Sequence, residues 1–125
     1  MINIYIVLGI LFWHWVADFL LQTDWQAQNK SKNTDALLQH TTTYAASWIF
    51  PCFILFKDLN LTESFFPIAV FIVFTWISHS ITDFFTSKLN SKLWQEKKVH
   101  WFFVSIGFDQ FLHFAQLLLT FYFLQ

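Results

Sequence analysis

Two short stretches, His14-Trp15-Val16-Ala17-Asp18-Phe19 and His79-Ser80-Ile81-Thr82-Asp83-Phe84, pair an imidazole with a carboxylate at a spacing of four. On a helix that spacing sets both groups on one face, a turn apart. A third pair runs in reverse, Asp109-Gln110-Phe111-Leu112-His113, and His40 follows Leu37-Leu38-Gln39 without an acid. Imidazole and carboxylate together suit zinc, manganese or iron. Helical bundles build two-metal carboxylate sites from such motifs on facing helices. His14, Asp18, His40, His79, Asp83, Asp109 and His113 are enough to give one or two divalent ions, zinc foremost, three or more ligands each. A bound ion lowers the pKa of its water toward ~7 and makes a hydroxide nucleophile. Asp109 or Asp83 is the candidate catalytic carboxylate. Gln22, four after Asp18, and Gln39 and Gln110, each adjoining a site residue, are candidates to orient ligands or touch substrate. Lys30 is another, and with Lys88 it could reach an anionic headgroup.

The elements that must position these groups follow from composition. The 125 residues are 56% hydrophobic, 22% aromatic and only 12% charged, with 18 Phe and no Arg. A soluble domain of this size needs far more polar surface. The expectation is an all-α, polytopic membrane four-helix bundle, a single transmembrane domain over 1–125, at about 20 residues per span. Its helices are expected near 4–22, 35–56, 65–87 and 101–124. The net charge of −1 offers no basic surface for nucleic acid. The single Cys52 excludes an internal disulfide and a cysteine-rich zinc site, and reads as a small apolar core residue. The first apolar run has neither a basic lead-in nor a small-residue cleavage site, so it reads as a retained helix.

Thr23 and Asp24 are N-cap types, which predicts a short interfacial helix from Trp25 to Lys30 with the indole at headgroup level. Thr34 or Asp35 is the expected cap of the second long helix, Pro51 its kink or far end, and Pro67 falls in the first turn of the third. Lys30 and Lys32 lie in the first loop, and Lys88, Lys92, Lys97 and Lys98 in the third, whereas the second has Lys57 beside two acids. The positive-inside rule places loops one and three in the cytoplasm and both termini outside. His100, among lysines and Trp101, reads as interfacial. The odd helices carry His-x-x-x-Asp-Phe near their cytoplasmic ends, and the even helices a His near their starts. That pattern suggests two repeated helical hairpins about an axis along the membrane normal.

All seven candidate ligands then lie in the cytoplasmic half of the bilayer. A buried Asp costs ~2.5–3.5 kcal/mol on insertion scales, so three left unpaired cost roughly 8–10 kcal/mol. Metal, water or His–Asp pairing must offset that. Haem ligation fits poorly, because acids flank the histidines and only Gly9 and Gly107 would let a macrocycle near the backbone. The leading reading is a metal-dependent hydrolase acting on a lipid or lipid-linked substrate near the cytoplasmic face. The alternatives are a proton or divalent-cation transport or channel subunit, for which Thr43, Ser47, Thr75 and Thr120 are the only candidate outer path, and a structural or partner-binding role. Membrane lipids are the expected partners, and a homo-oligomer is an open alternative.

Asp18-Phe19-Leu20-Leu21-Gln22-Thr23-Asp24-Trp25 with Lys30, then His40, His79-x-x-x-Asp83 and Asp109-Gln110-x-x-His113, resembles the family called domain of unknown function 3307. The resemblance spans nearly the whole chain. It implies a short multi-helix protein of the bacterial inner membrane and carries no settled activity. The family pattern has a Lys three residues after the second Asp, where this chain has Thr86, with Lys88 two later. The His-x-x-x-Asp motif alone is also similar to that of small inner-membrane proteins labelled metal-dependent hydrolases.

Overall fold

The computed structural model describes residues 3–125, and every regular element among them is helical. Helix α1 spans Ile4–Trp15 and starts at Asn3, whose side-chain oxygen accepts from the Tyr5 N–H at 2.8 Å. It runs on as a π turn, Val16–Leu20, closed by Leu21 N–H donating to the Val16 carbonyl at 3.0 Å. The uniform helix expected over 4–22 is therefore α-helical only to Trp15 and ends at Leu20. Helix α2 is Asp24–Asn29, held by a capping box in which Thr23 and Gln26 exchange side-chain and backbone bonds.

Helix α3, Thr34–Ser47, is capped by Asn33, not by Thr34 or Asp35 as expected. The Asn33 amide oxygen accepts from the Asp35 and Ala36 N–H groups at 2.8 and 3.2 Å. The second long helix then breaks at Trp48, and α4 runs Ile49–Leu55. Pro51 sits in the first turn of α4 and has no N–H to give the Ser47 carbonyl four residues back. The Trp13 indole N–H of α1 donates to that carbonyl instead, at 3.1 Å, so the break becomes an interhelical tie.

Helix α5 spans Leu61–Gln95, 35 residues and ~52 Å. It outruns the expected 65–87 at both ends. Apolar content marks the lipid-exposed part of a helix, not its length, and Lys88–Gln95 contains neither Gly nor Pro to stop it. Pro67 is consequently not in the first turn but at the seventh position. A three-residue turn follows, with Lys97 in the left-handed region at φ 56°. Lys98 donates to Glu96 at 2.6 Å, and that bond holds the exposed Glu96 carboxyl below its usual range. Helix α6 spans Val99–Leu124.

Helix α5 packs on α6 and α3, α3 on the π turn, and α1 on α6, so the contacts close a ring; α2 leans on α3, and α4 on α5 and α3. Each long helix turns one stripe inward. On α5 this is Ser64, Ile68, Phe71, Thr75, His79 and Asp83, and on α6 it is Asp109, His113, Leu117 and Phe121. The interior has two layers. One is apolar, built on Ile10, Trp48, Phe56, Phe71, Leu117 and Phe121. The other holds the buried histidines and aspartates. Phe12, Phe65, Phe66, Phe85, Phe103 and Phe123 lie on the outside, each more than 60% exposed. Two helices, α5 and α6, are long and apolar enough to cross a membrane, and the Ile4–Leu20 segment is apolar but shorter.

Candidate metal centre

The inner stripes bring all seven sequence-predicted residues into one buried layer. The π turn supplies Asp18, α3 supplies His40, α5 supplies His79 and Asp83, and α6 supplies Asp109 and His113, with His14 one turn before the π turn.

Four of their atoms form a compact polyhedron: His40 Nε2, His79 Nε2, Asp18 Oδ1 and Asp83 Oδ2. His40 lies 3.0 Å from Asp18 and 3.3 Å from Asp83; His79 lies 3.3 Å from Asp18 and 3.7 Å from Asp83; the two imidazole nitrogens are 3.2 Å apart. These five edges average ~3.3 Å. A regular tetrahedron with that edge has its centre ~2.0 Å from each corner, the bond length of zinc to imidazole nitrogen or carboxylate oxygen. Two N–H groups cannot make well-aligned bonds along all five edges, whereas one cation at the centre meets all four atoms.

A second group, Asp18, Asp109 and His113, shares Asp18 with the first. His113 Nε2 is 3.1 Å from Asp83 Oδ1 and 3.4 Å from Asp109 Oδ1. Asp83 thus faces the first group with one oxygen and His113 with the other. The two halves echo each other. His40–Asp18 and His113–Asp83 measure 3.0 and 3.1 Å, and the His-x-x-x-Asp pairs of α5 and α1 measure 3.7 and 3.5 Å.

His14 belongs to neither group. Its Nδ1 is 2.7 Å from the Tyr44 hydroxyl and its Nε2 is 2.9 Å from Gln110 Oε1, so both ring nitrogens are engaged by protein. Gln110 also donates through Nε2 to Asp18 at 3.3 Å and to Asp109 at 3.1 Å, tying three site residues together. Lys30, on the loop after α2, reaches in with Nζ 2.7 Å from Asp83 Oδ2. Burial works against its charge, but Asp83 and Asp18 outweigh that and raise its pKa, so the ammonium persists.

Gln22 and Gln39 do not join the site. The Gln22 side-chain oxygen is buried without a hydrogen-bond partner. Gln39 is exposed, in a shallow recess with Gln26, Leu38, Thr42 and Thr43. His100 is exposed at the start of α6. Two contacts escaped the sequence reading. Tyr44 bonds His14 and stacks on the His79 ring, with centroids 3.8 Å apart and planes at 10°. The Thr86 hydroxyl is 2.6 Å from Asp109 Oδ1. The signal for both was helical spacing: Tyr44 is four after His40, and Thr86 three after Asp83.

The fold and its polar layer define an all-helical protein with two helices able to cross a membrane and a buried cluster able to hold a metal ion. The family model described as Protein of unknown function (DUF3307) matches residues 6–125, and the chain belongs to that family. No curated protein and no solved structure matches it.

Proposed function

We propose that the chain is a four-span membrane protein that binds divalent metal, zinc foremost, in its His–Asp layer and uses it for hydrolysis at the cytoplasmic headgroup level of the inner membrane. The observation that carries this reading is the four-atom cluster of His40, His79, Asp18 and Asp83, with five edges averaging ~3.3 Å, a length that suits a zinc-sized ion.

The membrane part rests on inverted polarity: carboxylates and imidazoles inside, phenylalanines outside. Ile4–Leu20 and Thr34–Leu55 are the two further spans, ~25 and ~33 Å long. The lysine-bearing turns between α1 and α3 and between α5 and α6 face the cytoplasm, which leaves both termini outside.

The hydrolytic part rests on the difference between the two groups. The first offers four protein atoms, a full ligand set for zinc. The second offers Asp18, Asp109 and His113, which leaves a position for water on an ion bound there. An ion held there would supply a water of lowered pKa, near ~7, and the second oxygen of Asp83 or Asp109, the one left off the metal, would take its proton. Transport is less well supported. Beyond the layer, Thr75, Gln116 and Thr120 bond one another. Ser47 bonds back to the Tyr44 carbonyl and Thr43 is exposed. Trp48, Phe71, Leu117 and Phe121, each at most 2% exposed, fill the rest of the interior.

Metal analysis of the full chain purified in mild detergent tests this reading. At least one equivalent in the wild type, lost in His79→Ala and Asp18→Asn, is expected. Less than one equivalent, unchanged in those variants, would remove the metal centre.

A further inference from the structure

Two exposed lysines, Lys32 and Lys88, meet the stem of Lys30 just beyond the polar layer. A recess of about 260 Å³ between the α2–α3 loop and α5 is lined by Lys30, Ser31, Lys32, Asn33, Thr34 and Lys88, with no carboxylate in its wall. Lys88 Nζ sits 3.5 Å over the Phe84 ring. Neither Lys32 nor Lys88 has an ion-pair partner among the described residues, although Lys92 at the end of α5 and Lys98 on the turn after it pair with Glu96. Like charges gathered in a pocket raise its potential and draw an anion. Lys30 links the recess to the polar layer, because it lines the one and touches Asp83 in the other.

The level of the recess names the anion. Phe84 and Lys88 lie within about a turn and a half past Asp83 on α5, where the exposed surface changes from phenylalanines to Lys88, Lys92 and Trp94. Lysine and Trp mark headgroup depth. Lysine ammonium and hydroxyl donors suit the several acceptor oxygens of a phosphate, and paired metal groups sharing a carboxylate suit phosphoryl chemistry.

We infer that the Lys30–Lys32–Lys88 recess binds the phosphate of a phosphate ester, which makes the adjoining centre a phosphoester hydrolase. This rests on the metal reading above. In the reaction a water oxygen forms a bond to phosphorus, the ester P–O bond breaks, and the proton taken from water ends on the leaving alcohol oxygen. Inorganic phosphate or a phosphate monoester is the product held by the lysines, according to whether the ester was a monoester or a diester.

The test is calorimetric titration of the full chain in a neutral detergent, with inorganic phosphate and short-chain phosphatidic acid as separate probes and short-chain diacylglycerol as the control. Saturable phosphatidic acid binding is expected, about tenfold weaker in the Lys32→Ala/Lys88→Ala double variant with metal content unchanged, and kept in Lys32→Arg/Lys88→Arg. If inorganic phosphate binds comparably, the phosphate alone is recognised. If only phosphatidic acid binds, the phosphate is that of a lipid headgroup. Binding of neither probe, binding equal to that of diacylglycerol, or affinity unaltered in the alanine variant overturns the inference. Metal content read on the same samples separates this failure from that of the metal centre. Should the alanine variant not fold, Lys32→Gln and Lys88→Gln, taken singly, carry the same expectation in smaller measure.

Discussion

His40 Nε2 and His79 Nε2 lie 3.2 Å apart, each within 3.3 Å of Asp18 Oδ1, in a layer where every one of these residues is at most 4% exposed. Two imidazoles and two carboxylates share this cluster, and a single Lys30 ammonium on Asp83 is, among the described residues, the only lysine charge set against the two acids. A divalent ion bound there would balance the arrangement electrostatically, and stability would then depend on the ion. At a thousandfold excess over its dissociation constant a bound ion adds ~4 kcal/mol to folding stability. Stripping the protein with a chelator should lower its melting temperature by several degrees or more, and re-adding zinc should restore it. Identical melting with and without chelator would contradict this.

Gln110 is not placed to bind metal, yet it touches His14, Asp18 and Asp109 at once. Groups that orient metal ligands are typically worth 10–100-fold in affinity. Gln110→Ala should weaken metal binding by about that factor while circular dichroism shows the same helix content. Competition with a chromogenic chelator measures it.

The Lys30–Asp83 pair ties the α2 loop to α5 across 53 residues of sequence. Lys30 supplies positive charge to the same carboxylate oxygen that forms a corner of the metal group. Breaking a fully buried pair costs 3–5 kcal/mol, but the Lys30 side chain is 19% exposed, so roughly 1–3 kcal/mol is the expected loss for Lys30→Met in the metal-free protein. With metal bound the loss should shrink, because the ion replaces the missing charge. Thermal melts of both proteins in both states give the coupling, and an equal loss in the two states would count against a shared role.

The Trp13–Ser47 tie exists because Pro51 leaves that carbonyl free. Trp13→Phe should cost about 1 kcal/mol. In a Pro51→Ala background the restored backbone N–H can bond the Ser47 carbonyl within the helix, and there the same substitution should cost less. A double-mutant cycle by denaturant unfolding reads the difference.

Much of the site was legible because helices impose one spacing on everything they carry. His79–Asp83 and Asp109–His113 fall on inner faces for the same reason as Phe71 and Leu117, which continue those stripes. What was hidden depends on departures from that spacing or on contacts between helices. The π turn adds a residue to the turn that holds Asp18, and the chain leaves the helix after Leu20, so Gln22 no longer follows Asp18 on one face. Gln39 adjoins His40, but adjacent helical residues point ~100° apart, and this one points outward. Gln110 is likewise rotated from Asp109, and it reaches inward because α1 and the π turn approach α6 there and offer it His14 and Asp18. The break at Trp48 arises from Pro51 acting on the carbonyl before it, with a partner in a different helix, a pairing no linear pattern records.

X-ray absorption at the metal edge, on zinc-loaded protein in detergent, reads the ligands of the buried cluster themselves. Four nitrogen or oxygen neighbours at ~2.0 Å, with the outer scattering of two imidazoles that disappears in part in His40→Ala, are the expected result. A six-oxygen shell without imidazole scattering, unchanged by His40→Ala, would contradict it.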